Sequence, residues 1–268
     1  MKLPDKIRMT WPMLGLLLLV IFIFPLPLLA QGPNDLTQVM VEANERYQSG
    51  QFERAAELYE TINAAGVQHS TVYYNLGNAY LQQGDLGRAI LNYRRAQRLD
   101  PRDGDIANNL ELARAQTIDK LQASGMEQLN FGQIVGDWIT LEETTVLLLV
   151  FWFLICLSLS LYIVLPHRRS ELVWLIISSV GLTILMTAGL ASSLYIEDQT
   201  PTAVVVASQV DVTDGPGPAD EFAVNFSLHA GAEVRIIDRR LGWRQIALPG
   251  DLDGWVPNNT LSLVVGQS

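Results

Sequence analysis

The hydrophobic rhythm of the chain changes from segment to segment, and each rhythm points to an element. Residues 13–24 form an unbroken apolar run between a basic start (Lys2, Lys6, Arg8) and the breakers Pro25 and Pro27, with the small Ala30 after them. This is the layout of a secretory signal peptide over residues 1–30, cleaved after Ala30; an uncleaved signal anchor is the alternative. Between residues 31 and 124 apolar positions recur at helical spacing beside charged ones, which predicts amphipathic helices. Two longer runs, Val146–Leu165 and Leu172–Ile196, have no polar face. Each has the ~20 apolar residues a helix needs to cross a bilayer core. The connector 166–171 (PHRRSE) is so short that the two helices must form a membrane hairpin.

From residue 202 the pattern becomes short and alternating. Thr202–Ser208, Glu233–Asp238, Trp243–Leu248, Gly254–Val256 and Leu261–Val265 are rich in β-branched residues, with turn signals such as DGPGPAD between them. This predicts about five strands and a small all-β barrel over residues 202–268. The fold class is therefore multidomain: an all-α segment, a two-helix transmembrane hairpin over 146–165 and 172–196, and a β-barrel. Residues 125–145 lie between the first two, and Phe131, Ile134, Trp138 and Leu141 share one helical stripe there. They predict a juxtamembrane helix with Trp138 at headgroup level.

Charge gives the hairpin an orientation. Residues 31–145 carry nine basic and sixteen acidic residues, and residues 196–268 carry four basic and ten acidic. Basic excess is confined to the N-terminus and to the connector, where Arg168 and Arg169 face only Glu171. By the positive-inside rule those two points are cytoplasmic. Both soluble segments are then expected outside the cytoplasm, on a two-pass protein of the cytoplasmic (inner) membrane. The acidic balance of both segments argues against a nucleic-acid partner, since phosphates call for a basic face. One cysteine, Cys156, lies within the first apolar run, so no disulfide framework exists within the chain.

The helical segment repeats itself. Gly50, Ala55 and Tyr59 return as Gly84, Ala89 and Tyr93, and Ala43 returns as Gly77, each 34 residues on. This is the period of the tetratricopeptide repeat (TPR). The residues resemble that family, with units at 36–69 and 70–103 and a covering helix at 105–121 in a TPR domain over 31–124. Gly77 and Ala89 are small where the two helices of a unit touch, and Pro101 stops the second helix. The resemblance implies a peptide groove lined by Asn44, Tyr47, Gln48, Tyr74, Asn78, Leu81 and Asn109. Asn44 and Asn78 occupy one repeat position, where an amide either clamps a peptide backbone or merely faces solvent; neither is expected to support the helix contacts. Asp105 and Thr71 stand where a base would hold a carboxylate terminus.

The β segment resembles a bacterial SH3-like (SH3b) domain through AVVVAS, HAGAEVRIID, GWRQIAL and DGWVPNNTL. Trp243 and Trp255 are its most telling residues, as packing for the barrel edge or as a ligand surface. No catalytic constellation is present. His69, His167 and His229 fall in three separate segments, Asp100, Asp103 and Asp105 miss the calcium-loop spacing, and no Gly-rich phosphate loop is found. No metal and no cofactor is expected, and the chain reads as no enzyme.

The order of these parts resembles the TPR/SH3 members of the bacterial aerotolerance-operon (Bat) proteins, BatE type. That resemblance implies a non-enzymatic scaffold acting with membrane von Willebrand A-domain proteins and a MoxR-type ATPase system. The alternative is a membrane protein that binds peptidoglycan peptides of the cell wall.

Overall fold

A computed structural model describes residues 34–119, 141–199, 201–250 and 252–265. The signal-peptide segment and the Phe131, Ile134 and Trp138 positions lie outside the described residues. Five helices come first: α1 (Asn34–Gln48), α2 (Phe52–Ala64), α3 (Ser70–Gln82), α4 (Leu86–Leu99) and α5 (Gly104–Gln116). They form two helix pairs and a covering helix. Each pair turns on a glycine in the left-handed region, Gly50 (φ 77°) and Gly84 (φ 78°). The hydrogen bonds around them repeat as well: the Gln51 amide donates to Arg46 O at 2.9 Å, and the Asp85 amide to Tyr80 O at 3.0 Å. This is the helix stop in which glycine escapes the Cβ clash of positive φ. Asp85 and Asp103 then start the next helices, their carboxylates accepting from the Arg88 amide and from the Asp105 and Ile106 amides.

Inside each pair the contact is close. A Cβ on Gly77 would lie 2.7 Å from Cε1 of Tyr93, so the ring occupies the space any larger side chain would need. Ala43, Ala55, Tyr59, Ala89, Ile90 and Tyr93 are 0–1% exposed. Leu110 and Ala113 of α5 join the same core, which is what a terminal helix must do for a stack of only two units.

Helices α6 (Leu141–Val164) and α7 (Arg169–Gln199) are joined by a 3-10 turn at Pro166–Arg168. Both are long and apolar enough to cross a membrane, by length and composition. Their apolar side chains face outward, Trp174 at 71% and Ile184 at 64% exposure. The few hydroxyls bond back to their own helix: Ser160 to Cys156 O, Thr183 to Ser179 O and Thr187 to Thr183 O. Such bonds satisfy a hydroxyl within its own helix, without water.

The C-terminal segment is an antiparallel sheet of seven strands: β1 (Thr202–Val205), β2 (Gln209–Thr213), β3 (Val224–His229), β4 (Glu233–Arg240), β5 (Trp243–Leu248), β6 (Leu252–Pro257) and β7 (Leu261–Leu263), in the order β3-β2-β6-β5-β4-β1-β7. Two strands exceed the sequence expectation, β2 and β3. The barrel expected from the sequence is not closed, because β3 and β7 remain as edges. Both edges are tied to the helical segment instead. Arg95 Nη2 donates to Leu263 O on β7 at 2.8 Å, and the His229 amide on β3 donates to Asp119 Oδ2 at 2.6 Å. An unpaired strand edge needs such cover.

The helical segment and the sheet thus share one compact unit, which also takes in the end of α7. Val204 of β1 is fully buried in the helical core, and Val206 and Val264 pack on it. A Cβ on Gly87 of α4 would stand 2.7 Å from Val205 O, so bare backbone lets β1 touch the helix. Glu233 of β4 anchors the contact, with Oε1 2.6 Å from Arg114 Nε and Oε2 2.9 Å from Arg94 Nε.

Candidate functional site

The first helices of the two pairs, α1 and α3, present a cavity of about 250 Å³ lined by Asn44, Tyr47, Gln48, Tyr59, Asn75 and Asn78. Four of the residues expected in the groove line it: Asn44, Tyr47, Gln48 and Asn78. Tyr74 and Asn109 adjoin it, the Asn109 amide donating to the Tyr74 hydroxyl at 3.0 Å. Leu81 packs half-buried on the helical core. Tyr59 and Asn75 belong to the site and were missed by sequence reasoning. The 34-residue period was the available signal, since Tyr59 precedes Tyr93 and Asn75 precedes Asn109 by that interval.

The lining is held by a hydrogen-bond ladder that repeats with the sequence. Asn44 Oδ1 accepts from the Tyr59 hydroxyl at 2.7 Å and from Asn75 Nδ2 at 3.3 Å. One repeat later Asn78 Oδ1 accepts from the Tyr93 hydroxyl at 2.6 Å and from Asn109 Nδ2 at 3.0 Å. Each asparagine therefore joins three helices, contrary to the expectation that neither supports the helix contacts. The reason is geometric: a tyrosine buried on the second helix of a unit must find an acceptor, and the asparagine on the first helix is within reach. With Oδ1 committed to the fold, each amide group's Nδ2 is left to donate to a ligand.

Among the described residues no charged side chain lines the cavity. Its electrostatics come from phenols held neutral. Burial pushes the Tyr59 hydroxyl up to about 12, the neighbouring Tyr47 adds to this, and the Asn75 bond opposes it. Burial raises Tyr93 further, with Tyr74 and Tyr47 adding to the shift. The site can offer amide and phenol hydrogen bonds together with aromatic surface. Among the described residues no cluster of His, Cys, Asp or Glu could hold a metal ion.

The two tryptophans of the sheet sit differently. Trp255 is 7% exposed, with the Arg240 guanidinium 5.5 Å over its ring. Trp243 is half-buried opposite Pro257 on β6 and Arg240 on β4. The structure brings them together on neighbouring strands and leaves little of Trp255 for a ligand.

Residues 40–104 match the tetratricopeptide repeat family model. The match runs from within α1 through α4 to the first residue of α5, and TPR repeats are a non-catalytic protein-interaction motif. A comparison with curated proteins finds no match.

Proposed function

We propose that this chain is a non-enzymatic, membrane-anchored scaffold whose TPR groove holds an extended segment of a protein partner. The observation that carries the reading is the groove itself: an uncharged cavity over two repeats, lined by amides and phenols, in the part of the chain that matches a protein-interaction family. Amide groups spaced by one repeat suit the regularly spaced carbonyls of an extended peptide. The absence of arginine and lysine from the lining favours an internal segment over a free carboxylate terminus.

The anchor is the pair α6 and α7. Glu233, which follows that pair in the chain, is bound to Arg94 and Arg114, which precede it. Halves so interlocked must lie in one compartment, and two crossings satisfy that where one would not. With Arg168 and Arg169 in the turn, the positive-inside rule sets both soluble parts outside the cytoplasm. Within this reading the sheet is an SH3-like module, and the partners are membrane von Willebrand A-domain proteins of an aerotolerance-type system, served by a MoxR-type ATPase.

Gln48 provides the test, because it lines the groove, is exposed and its side chain makes no hydrogen bond among the described residues. Full-length protein in nanodiscs should capture a membrane von Willebrand A-domain protein from the same cells, and Gln48→Ala should weaken capture several-fold without changing thermal stability. Loss of a ligand hydrogen bond is worth ~0.5–1.5 kcal/mol. Undiminished capture would move the partner site off the groove. Retention on isolated peptidoglycan, lost with the sheet, would favour the cell-wall reading instead.

A further inference from the structure

The basic residues of the C-terminal segment are gathered in one place. All four that follow residue 196 (Arg235, Arg239, Arg240 and Arg244) lie on the β4–β5 hairpin, while ten acidic residues are scattered from Glu197 to Asp253. Arg239 stands directly across the ladder from Arg244. Like charges so opposed weaken a strand pair. Among the described residues, no carboxylate side chain forms an ion pair with either arginine; Asp238 binds the Arg239 backbone amide and lies 3.5 Å from Arg240. Arg244 Nη1 is buried with no hydrogen-bond partner among the described residues. Burial and the neighbouring Arg239 charge both lower the basicity of Arg244. The tip is thus built at a cost that a bound anion would remove.

Its apolar residues point the same way. Leu241, at the turn, is 102% exposed, and Ile237 is 46% exposed. A lone protruding leucine offers a folded partner no surface of useful area, whereas a lipid layer accepts it without a matching pocket. Arginine beside an exposed leucine is the composition of a membrane-surface contact.

Strand register then fixes which end of the sheet the tip occupies. The chain leaves α7 at Gln199 and enters β1, where Thr202 pairs with Arg235 and Val204 with Glu233. Pro201 O accepts from the Ile236 amide at 2.9 Å. Because β1 and β4 are antiparallel, β4 runs from Arg235 to Arg240 toward the end from which the chain arrives. The tip reaches roughly 15 Å past the entry point, at ~3.3 Å per strand residue.

We infer that the β4–β5 tip docks on the anionic phospholipid headgroups of the membrane that anchors the chain, with Arg239, Arg240 and Arg244 over phosphates and Leu241 in the headgroup layer. This rests on the membrane-anchored reading above. The test uses the full chain in nanodiscs, in a Cys156→Ala background, with a polarity-sensitive dye on Leu241→Cys. A second sample carries the dye on Leu252→Cys, exposed at the far end of the β5–β6 pair. In discs containing anionic lipid the dye at 241 should shift to the blue and be shielded from acrylamide. In zwitterionic discs, or at high salt, it should not, and the dye at 252 should be indifferent to lipid. Each arginine near such a surface contributes about a five-fold change in the docking equilibrium. Arg239→Gln with Arg244→Gln should therefore weaken docking by about twenty-fold or more. Arg239→Glu with Arg244→Glu should abolish it, with circular dichroism confirming the fold of both variants. Equal exposure of position 241 in both lipids overturns the inference, as does shielding that needs an added soluble protein or peptidoglycan. Failure of the chain to stay with the discs at all would instead sink the anchored reading.

Discussion

The Tyr93 hydroxyl lies 2.6 Å from Asn78 Oδ1, and this bond joins the two helices of the second repeat. Asn78→Ala removes the acceptor and leaves a buried phenol unpaired, which costs ~1–3 kcal/mol. Tyr93→Phe should cost less, ~0.5–1.5 kcal/mol. A double-mutant cycle by chemical denaturation should return a coupling energy clearly above zero; additive effects would mean the bond does not hold the helices.

Gly77→Ala tests the neighbouring contact. The added carbon would stand 2.7 Å from the Tyr93 ring, and the ring is fully buried. Overpacking of this kind costs ~1–3 kcal/mol. Wild-type thermal stability in this variant would show that the ring has somewhere to go.

The buried phenols make the groove sensitive to alkali. Tyr59 titrates near 12 in the folded chain, against about 10 when unfolded. The unfolded state therefore loses its proton first as pH rises. The stability Tyr59 contributes is whole below pH ~10 and is lost between there and about 12. Tyrosinate absorbance should lag that of free tyrosine through this window, and Tyr59→Phe should lessen the fall in stability across it. A Tyr59 that titrates with the exposed tyrosines would refute the burial argument.

Glu233 is the second point of leverage. Its side chain is 12% exposed between Arg94 and Arg114, which are 30% and 33% exposed. Glu233→Ala leaves two half-buried cations without an anion, and solvent screening holds the loss to about 1–3 kcal/mol. Limited proteolysis should then separate sheet from helices while each keeps its secondary structure. Unchanged protection would mean that Val204 and its apolar neighbours hold the contact alone.

Orientation can be read with reporter fusions. A reporter at Arg168 should be active only as a cytoplasmic marker, and one after Val265 only as an extracytoplasmic one. A cytoplasmic reading after Val265 would overturn the two-pass arrangement.

The repeats were legible because their signals are local and periodic: Gly50 and Gly84, Ala55 and Ala89, Tyr59 and Tyr93 each state the period independently. The apolar helices were legible from the length of their runs. The ladder was half legible; Asn109 was found by its groove position, but Asn75 reads as an ordinary polar residue until its 34-residue partner is compared. Strand β2 alternates polar Gln209 and Asp211 with buried Val210 and Val212, a signal that was passed over, whereas β3 was hidden by its exposed Val224 and Asn225. The closure of the barrel was overestimated, because no local pattern reveals that Arg95 and Asp119 will take the sheet edges. Glu233, flanked by Ala232 and Val234, likewise reads as a solvated strand charge. Nothing near it names Arg94 or Arg114 more than a hundred residues earlier.

The long separation of Glu233 from its arginines also sets an order of events during synthesis. Arg94 and Arg114 emerge first, and their carboxylate follows only after α6 and α7 have been made. Until then Ile90 and Leu91 of α4 lack Val204, the side chain that completes their core. For an anchored chain the final docking therefore reports that both crossings succeeded, since a chain that stalled after one would strand the sheet in the wrong compartment. A nascent protein in that state keeps an uncovered apolar face on α4, the kind of surface that chaperones and proteases recognise. In the anchored reading, membrane insertion and tertiary folding are thereby joined in a single checkpoint.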